Sequence, residues 1–92
     1  MQITVHYMAQ LKRLAGVAKE SIDVPTPPTL KALLSSLAER HDEALARALL
    51  DDAGRPQHAL LVFHGDEQIR DDFTRALSDG DELTLLTPMA GG

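Results

Sequence analysis

The chain closes on TPMAGG, Thr87 to Gly92, directly after the apolar run LTLL. Glycine loses more backbone freedom on ordering than any other residue, and termini are held least firmly, so stability does not call for this ending. Chemistry offers a use for it. A terminal carboxylate has a reference pKa of about 3.3 to 3.7, and in its ionised form it is a poor electrophile. Adenylation by ATP would turn it into an acylating group, provided the activating site closes around the terminus and keeps water off the acyl phosphate. Gly91 and Gly92 carry no Cβ and can thread such a site. The tail from Thr87 onward, fully extended, reaches roughly 20 Å. Free of side-chain anchors at its end, and with Pro88 unable to donate to a sheet ladder, it is expected to be mobile in the isolated protein.

Other chemistries are poorly provided for. There is no cysteine, which excludes disulfides, thiolate metal sites and nucleophilic or persulfide chemistry by the chain itself. Any sulfur chemistry the chain joins must then be supplied from outside. His6, His41, His58 and His64 form neither an i, i+4 pair on a helix nor a cluster, so they read as exposed or hydrogen-bonded histidines and no metal is expected. No phosphate loop or nucleophile–base pair is present either. The expectation is a protein substrate of other enzymes, without catalytic residues or a bound cofactor of its own, ATP being used by the activating enzyme. The acidic clusters Asp51-Asp52, Asp66-Glu67, Asp71-Asp72 and Asp79 to Glu82 read as turn and cap residues, the last also as a contact for a basic partner.

These groups need a scaffold, and 92 residues make a single domain with one modest core. Apolar residues make up 43% of the chain, but two Phe and one Tyr leave little surface for stacking on bases. Fourteen acidic against nine basic residues, a net charge of -5, argue against nucleic acid and suit a basic protein surface. The opening MQITVHYMAQ alternates instead of forming a leader, and no apolar run approaches the roughly 20 residues that span a bilayer, so a soluble cytoplasmic protein is expected.

Ile3, Val5 and Tyr7 alternate with polar neighbours as in a strand with one buried face, and Ile22 and Val24 repeat the pattern. Gly16 in the link LKRLAGVAKE offers a turn, which makes residues 1 to 24 a hairpin, stopped by the prolines at 25, 27 and 28. Thr29 is a plausible N-cap for a helix in which Leu30, Leu33, Leu34, Leu37 and Ala38 share one face. DEALARALL adds a further helical turn or two, closed by Gly54 and Pro56. HALLVF, from His58 to Phe63, reads as a strand, EQI as a shorter one, and Asp79-Gly80-Asp81 as a tight loop before a last strand, Glu82 to Thr87. The order predicts an α+β fold in which one main helix lies across a mixed sheet.

Over its whole length the chain resembles the ThiS/MoaD sulfur carriers, small β-grasp (ubiquitin-like) proteins that end in Gly-Gly. The resemblance rests on ITVHY, LKRLAG, TLKALLSSLAERH, DGDELTLL and PMAGG. The ending with its preceding DGD is similar to the small subunit of molybdopterin synthase. ALLDDAGRPQH followed by LLVFHGDEQIR is similar to carriers used in cysteine synthesis. The resemblance implies a β-grasp domain over residues 1–87 and a tail over 88–92. It implies that an E1-like enzyme adenylates Gly92, that a sulfur donor converts it to a thiocarboxylate, and that a synthase subunit accepts the sulfur. Molybdopterin synthesis is the first pathway it suggests, with cysteine or thiamine thiazole synthesis, or a ubiquitin-like modifier forming isopeptide bonds, as alternatives.

Alternation in HALLVF places Leu60 and Val62 on one face and Leu61 and Phe63 on the other. The resemblance favours Leu60 and Val62 inward, leaving Leu61 and Phe63, with Leu86 of the last strand beside them, as an exposed apolar docking patch. Met89 would contribute at the base of the tail Pro88, Met89, Ala90, Gly91. The alternative is a second covered face, under DEALARALL or a dimer mate.

Overall fold

In the computed structural model, which describes residues 1–88, the chain runs β1 (Gln2–Tyr7), α1 (Gln10–Ala15), β2 (Lys19–Asp23), α2 (Leu30–Arg40) and α3 (Glu43–Leu49). It continues through β3 (Leu61–His64), β4 (Glu67–Ile69) and β5 (Glu82–Leu86). The strands form one sheet in the order β2-β1-β5-β3-β4. β1 and β5 are parallel neighbours, and the other pairs are antiparallel. The strand that leads into the tail is therefore the central one.

Period-2 alternation becomes two faces. Val5 pairs with Leu83, Tyr7 and Val62 with Leu85, and Ile3 with Ile22, so these side chains share the face turned toward the helices. All are buried, together with Leu30, Leu33, Leu34 and Leu37 of α2, Leu45 and Leu49 of α3, and Leu11 of α1. The expected face of α2 is the buried one. Its first turn is capped as the sequence predicts, Thr29 Oγ1 accepting from the Ala32 N–H at 3.1 Å. Asp42 does the same for α3, accepting from the Leu45 N–H at 3.2 Å.

Three details correct the sequence reading. The link after β1 is a helix, α1, and not a simple turn; β1 and β2 still pair, with that helix in their connection. Its cause is local and tertiary together: Leu11 packs into the core with Leu14 and Ala15 against it, and Gly16 closes the helix at φ 79° with its N–H on Lys12 O. The main helix across the sheet is α2, as the order of elements predicts, and α1 and α3 are shorter helices beside it. β3 begins at Leu61, not His58, because the Leu60 N–H still closes a turn onto Gln57 O at 3.0 Å, and β5 ends one residue early, at Leu86.

The DGD loop sets the parallel register on which the tail's position depends. Gly80, at φ 87°, donates its N–H to Gln2 O at 2.8 Å, while Asp79 Oδ1 accepts the Gln2 N–H at 2.8 Å. Asp81 O then accepts from the Thr4 N–H at 3.0 Å. Only glycine holds that φ without strain. With the starts of β1 and β5 locked together, their ends also coincide, and the Met8 N–H reaches Leu85 O at 3.0 Å.

Candidate functional site

The expected acyl-transfer position, Gly92, and the tail residues Gly91, Ala90 and Met89 lie outside the described residues, as does the mobility expected of that stretch. What the structure places is the tail's root. β5 runs out at Leu86, followed by Thr87 and an exposed Pro88. Leu86 sits directly opposite Leu61, and Phe63 lies between Thr84 on one side and Gln68 on the other. These residues alternate with the buried Val62, Leu83 and Leu85, so they occupy the face turned away from the helices.

Leu61, Phe63 and Leu86 are half-buried and not fully exposed as expected, because paired apolar side chains on one sheet face shield each other. Helix α3 does not supply the alternative cover: it packs on α1 and α2 and sends Leu45 and Leu49 into the shared core. Among the described residues the large apolar side chains that are exposed are Met1, Met8 at 49% and Val17 at 43%. Met8 and Val17 fall outside every strand and helix, in segments with no periodicity to mark them.

Several charged groups around this scaffold are occupied within the chain. On the outer face His6 Nε2 and Glu82 Oε1 are 2.7 Å apart. His64 Nε2 meets Asp81 Oδ2 at 2.8 Å, and the same oxygen accepts the Ser78 N–H. With Asp79 held on Gln2, the last acidic cluster thus acts in turn and register contacts, the role its sequence suggests. Arg75 grips Glu67 through two nitrogens at 2.9 Å, and those hydrogen bonds hold the Glu67 carboxyl below its usual range. His41 and His6 meet different carboxylates on different elements, and among the described residues no three His, Asp or Glu side chains gather as a metal site.

The most enclosed side chain in the salt bridges of the described residues is Glu20, on the helix-facing side of β2. It accepts from the Tyr7 hydroxyl at 2.7 Å, from Arg40 Nε at 2.9 Å, and from His41 Nε2. Burial alone would raise its pKa, but hydrogen bonds from Tyr7 and His41 and the charges of His41 and Arg40 outweigh that and lower it. Tyr7 shifts the other way: burial first, then the hydrogen bond to Glu20 and its charge, push the hydroxyl well above its normal range. A carboxylate so held is a structural anchor between β2 and the end of α2. It is a poor candidate for a general base.

A uniform picture follows of a scaffold that presents a tail from its central strand. The model of the ThiS family matches residues 5–92. The chain belongs to the ThiS family. It is 28% identical over 93 residues to small archaeal modifier protein 3 of Haloferax volcanii, both chains being covered completely. It is 27% identical over 92 residues to the molybdopterin synthase sulfur carrier subunit of Chlamydomonas reinhardtii, again with 100% of each covered. The crystal structure of SAMP1 from Haloferax volcanii superposes with a TM-score of 0.87, at 27% identity, over 100% of both chains. The fold of this ThiS-family protein is accordingly the β-grasp, ubiquitin-like one that its strand and helix order implied.

Proposed function

We propose that this protein carries sulfur on its C-terminal carboxylate, most directly for molybdopterin synthesis. The carboxylate oxygen of Gly92 attacks the α-phosphorus of ATP in an E1-like enzyme, and pyrophosphate leaves. A hydrosulfide equivalent from a sulfur donor then attacks the acyl carbon, AMP leaves, and the terminus becomes a thiocarboxylate. A synthase subunit accepts the sulfur from there. Gly91 and Ala90 keep the approach unobstructed, Met89 and Pro88 form the base of the tail, and Leu61, Phe63 and Leu86 dock the partners. The observation that carries this reading is the match, along the full length of both chains, to a molybdopterin synthase sulfur carrier subunit. A cysteine-free chain ending in Gly-Gly supports it, since the terminus is the only group able to hold activated sulfur.

The test is to incubate the protein with ATP, an E1-like enzyme from the same source and a sulfur donor, and to weigh it intact. The mass should rise by the difference between one sulfur and one oxygen, and the gain should map to Gly92. Gly91→Leu should abolish activation and leave stability unchanged. A second reading is favoured by the equally complete match to a small archaeal modifier protein: conjugation of Gly92 to lysines of other proteins. Isopeptide-linked Gly92 with no thiocarboxylate would establish that reading instead, and failure to form any acyl adenylate would sink both.

A further inference from the structure

An open groove of about 620 Å³ lies between α1 and the start of β2, lined by Ala9, Lys12, Arg13, Gly16, Val17 and Ala18. It lies at the end of the sheet from which the tail departs: the Tyr7 N–H binds Ala18 O at 2.8 Å, and the next N–H, of Met8, binds Leu85 O. Val17 in its lining and Met8, next to Ala9, are exposed large apolar residues among the described ones. Arg40, Arg47, Arg55 and Arg75 each sit against a carboxylate, whereas Lys12, Arg13 and Lys19 form no salt bridge among the described residues. Lys31 and Arg70 are likewise outside every salt bridge among the described residues, but each stands alone in sequence, while Lys12, Arg13 and the nearby Lys19 fall within eight residues without an acid between them. Residues 8–19 hold three basic side chains and no acid, leaving six basic against fourteen acidic residues in the rest of the chain.

The backbone here is also unusual. Ala9, at φ 53° and ψ -124°, takes the first inner position of a tight turn that the Leu11 N–H closes onto Met8 O at 3.1 Å. Glycine dominates that position, and among the described residues Ala9 is the one non-glycine at positive φ. The turn aims α1 so that Leu11 enters the core while Lys12 and Arg13 face outward.

We propose that this groove docks an acidic, partly apolar segment of the protein that receives the C-terminus, beside the point where the tail enters that protein. Cations over an apolar wall suit carboxylates interleaved with aliphatic side chains. The acidic remainder of the surface repels such a segment everywhere else, which fixes the orientation in which the terminus is delivered. The identity of the partner rests on the carrier reading above; the chemistry of the groove does not.

Two measurements test it on the full chain. In the first, a capped peptide of alternating Glu and Leu is titrated into the labelled protein and backbone amide shifts are followed by NMR. Shifts should centre on Lys12, Arg13 and Gly16 to Ala18, vanish in Lys12→Glu/Arg13→Glu and persist in Lys31→Glu/Arg70→Glu. Shifts spread evenly over Lys31 and Arg70 overturn the proposal. So does binding that appears only after residues 89–92 are removed, which would give the groove to the chain's own terminus. Shifts that track the protein's own concentration without peptide would give the groove to a second copy and overturn the proposal as well. In the second, Lys12→Glu/Arg13→Glu should raise the KM of the activating enzyme for this protein roughly tenfold at low salt with kcat unchanged, an effect that salt removes. A KM within about twofold of the native value, with adenylate still forming, overturns the docking role. Absence of adenylate from the native chain would instead overturn the carrier reading and leave the peptide map to decide the groove.

Discussion

Strands β3 and β5 present two faces of similar composition and opposite fate. Val62, Leu83 and Leu85 lie under the helices with no exposed surface, while Leu61, Phe63 and Leu86, their immediate neighbours, remain half-exposed on the other side. A sheet with one covered face needs apolar residues only at every second position. Apolar residues at the remaining positions, gathered where the central strand hands over to the tail, exceed what one covered face requires, and they are the surface proposed above for docking a partner. On that proposal the pleat lets one strand serve stability and recognition at once, because neighbouring side chains share a backbone but no environment.

The contrast breaks most sharply if a substitution on each face is compared. Leu34→Ala, beneath the sheet, should cost about 2 to 5 kcal/mol in chemical denaturation, through lost transfer energy and the cavity left behind. Phe63→Asp, on the outer face, should cost less than about 1 kcal/mol while weakening the complex with the activating enzyme. If Phe63→Asp unfolds the chain, the outer face belongs to the core and the docking surface lies elsewhere.

A smaller effect is expected at the edge of the covered face. Glu20→Ala leaves the buried Tyr7 hydroxyl and His41 without their acceptor, a loss of about 1 to 3 kcal/mol. Because Glu20 is more acidic folded than unfolded, its contribution is present above the ordinary carboxyl value of 4.5 and is lost as pH falls through the lower folded value. Stability measured against pH should therefore decline less steeply below about pH 4.5 in Glu20→Ala than in the native chain. An unchanged acid profile would show that the anchor does not titrate as its geometry implies. The smallest effect is a gain. Ala9→Gly should relieve the positive φ at the base of the groove and stabilise by about 0.5 to 1 kcal/mol, the relief exceeding the entropy that glycine adds to the unfolded chain.

Much of this was open to reading from residues alone. Thr29 and the leucines that follow it specify a capped helix with one apolar face, and Ile3, Val5 and Tyr7 a strand with one, because both signals are local periods of 3.6 and 2. The chemistry proposed for the tail also starts from local features, the absence of cysteine and an ending of two glycines. Alternation in HALLVF separated Leu60 and Val62 from Leu61 and Phe63 but could not say which pair the helices cover. That choice depends on which face α2 and α3 land on, and no local pattern contains it. Helix α1 is too short to stand on its own propensity, so its existence waits on the packing of Leu11. The groove beside it stands near the root of the tail because Gln2 finds Asp79 and Gly80 across the length of the chain and sets β1 alongside β5. Composition and period determined the elements; the meeting of distant segments decided which surfaces stand beside the root of the tail.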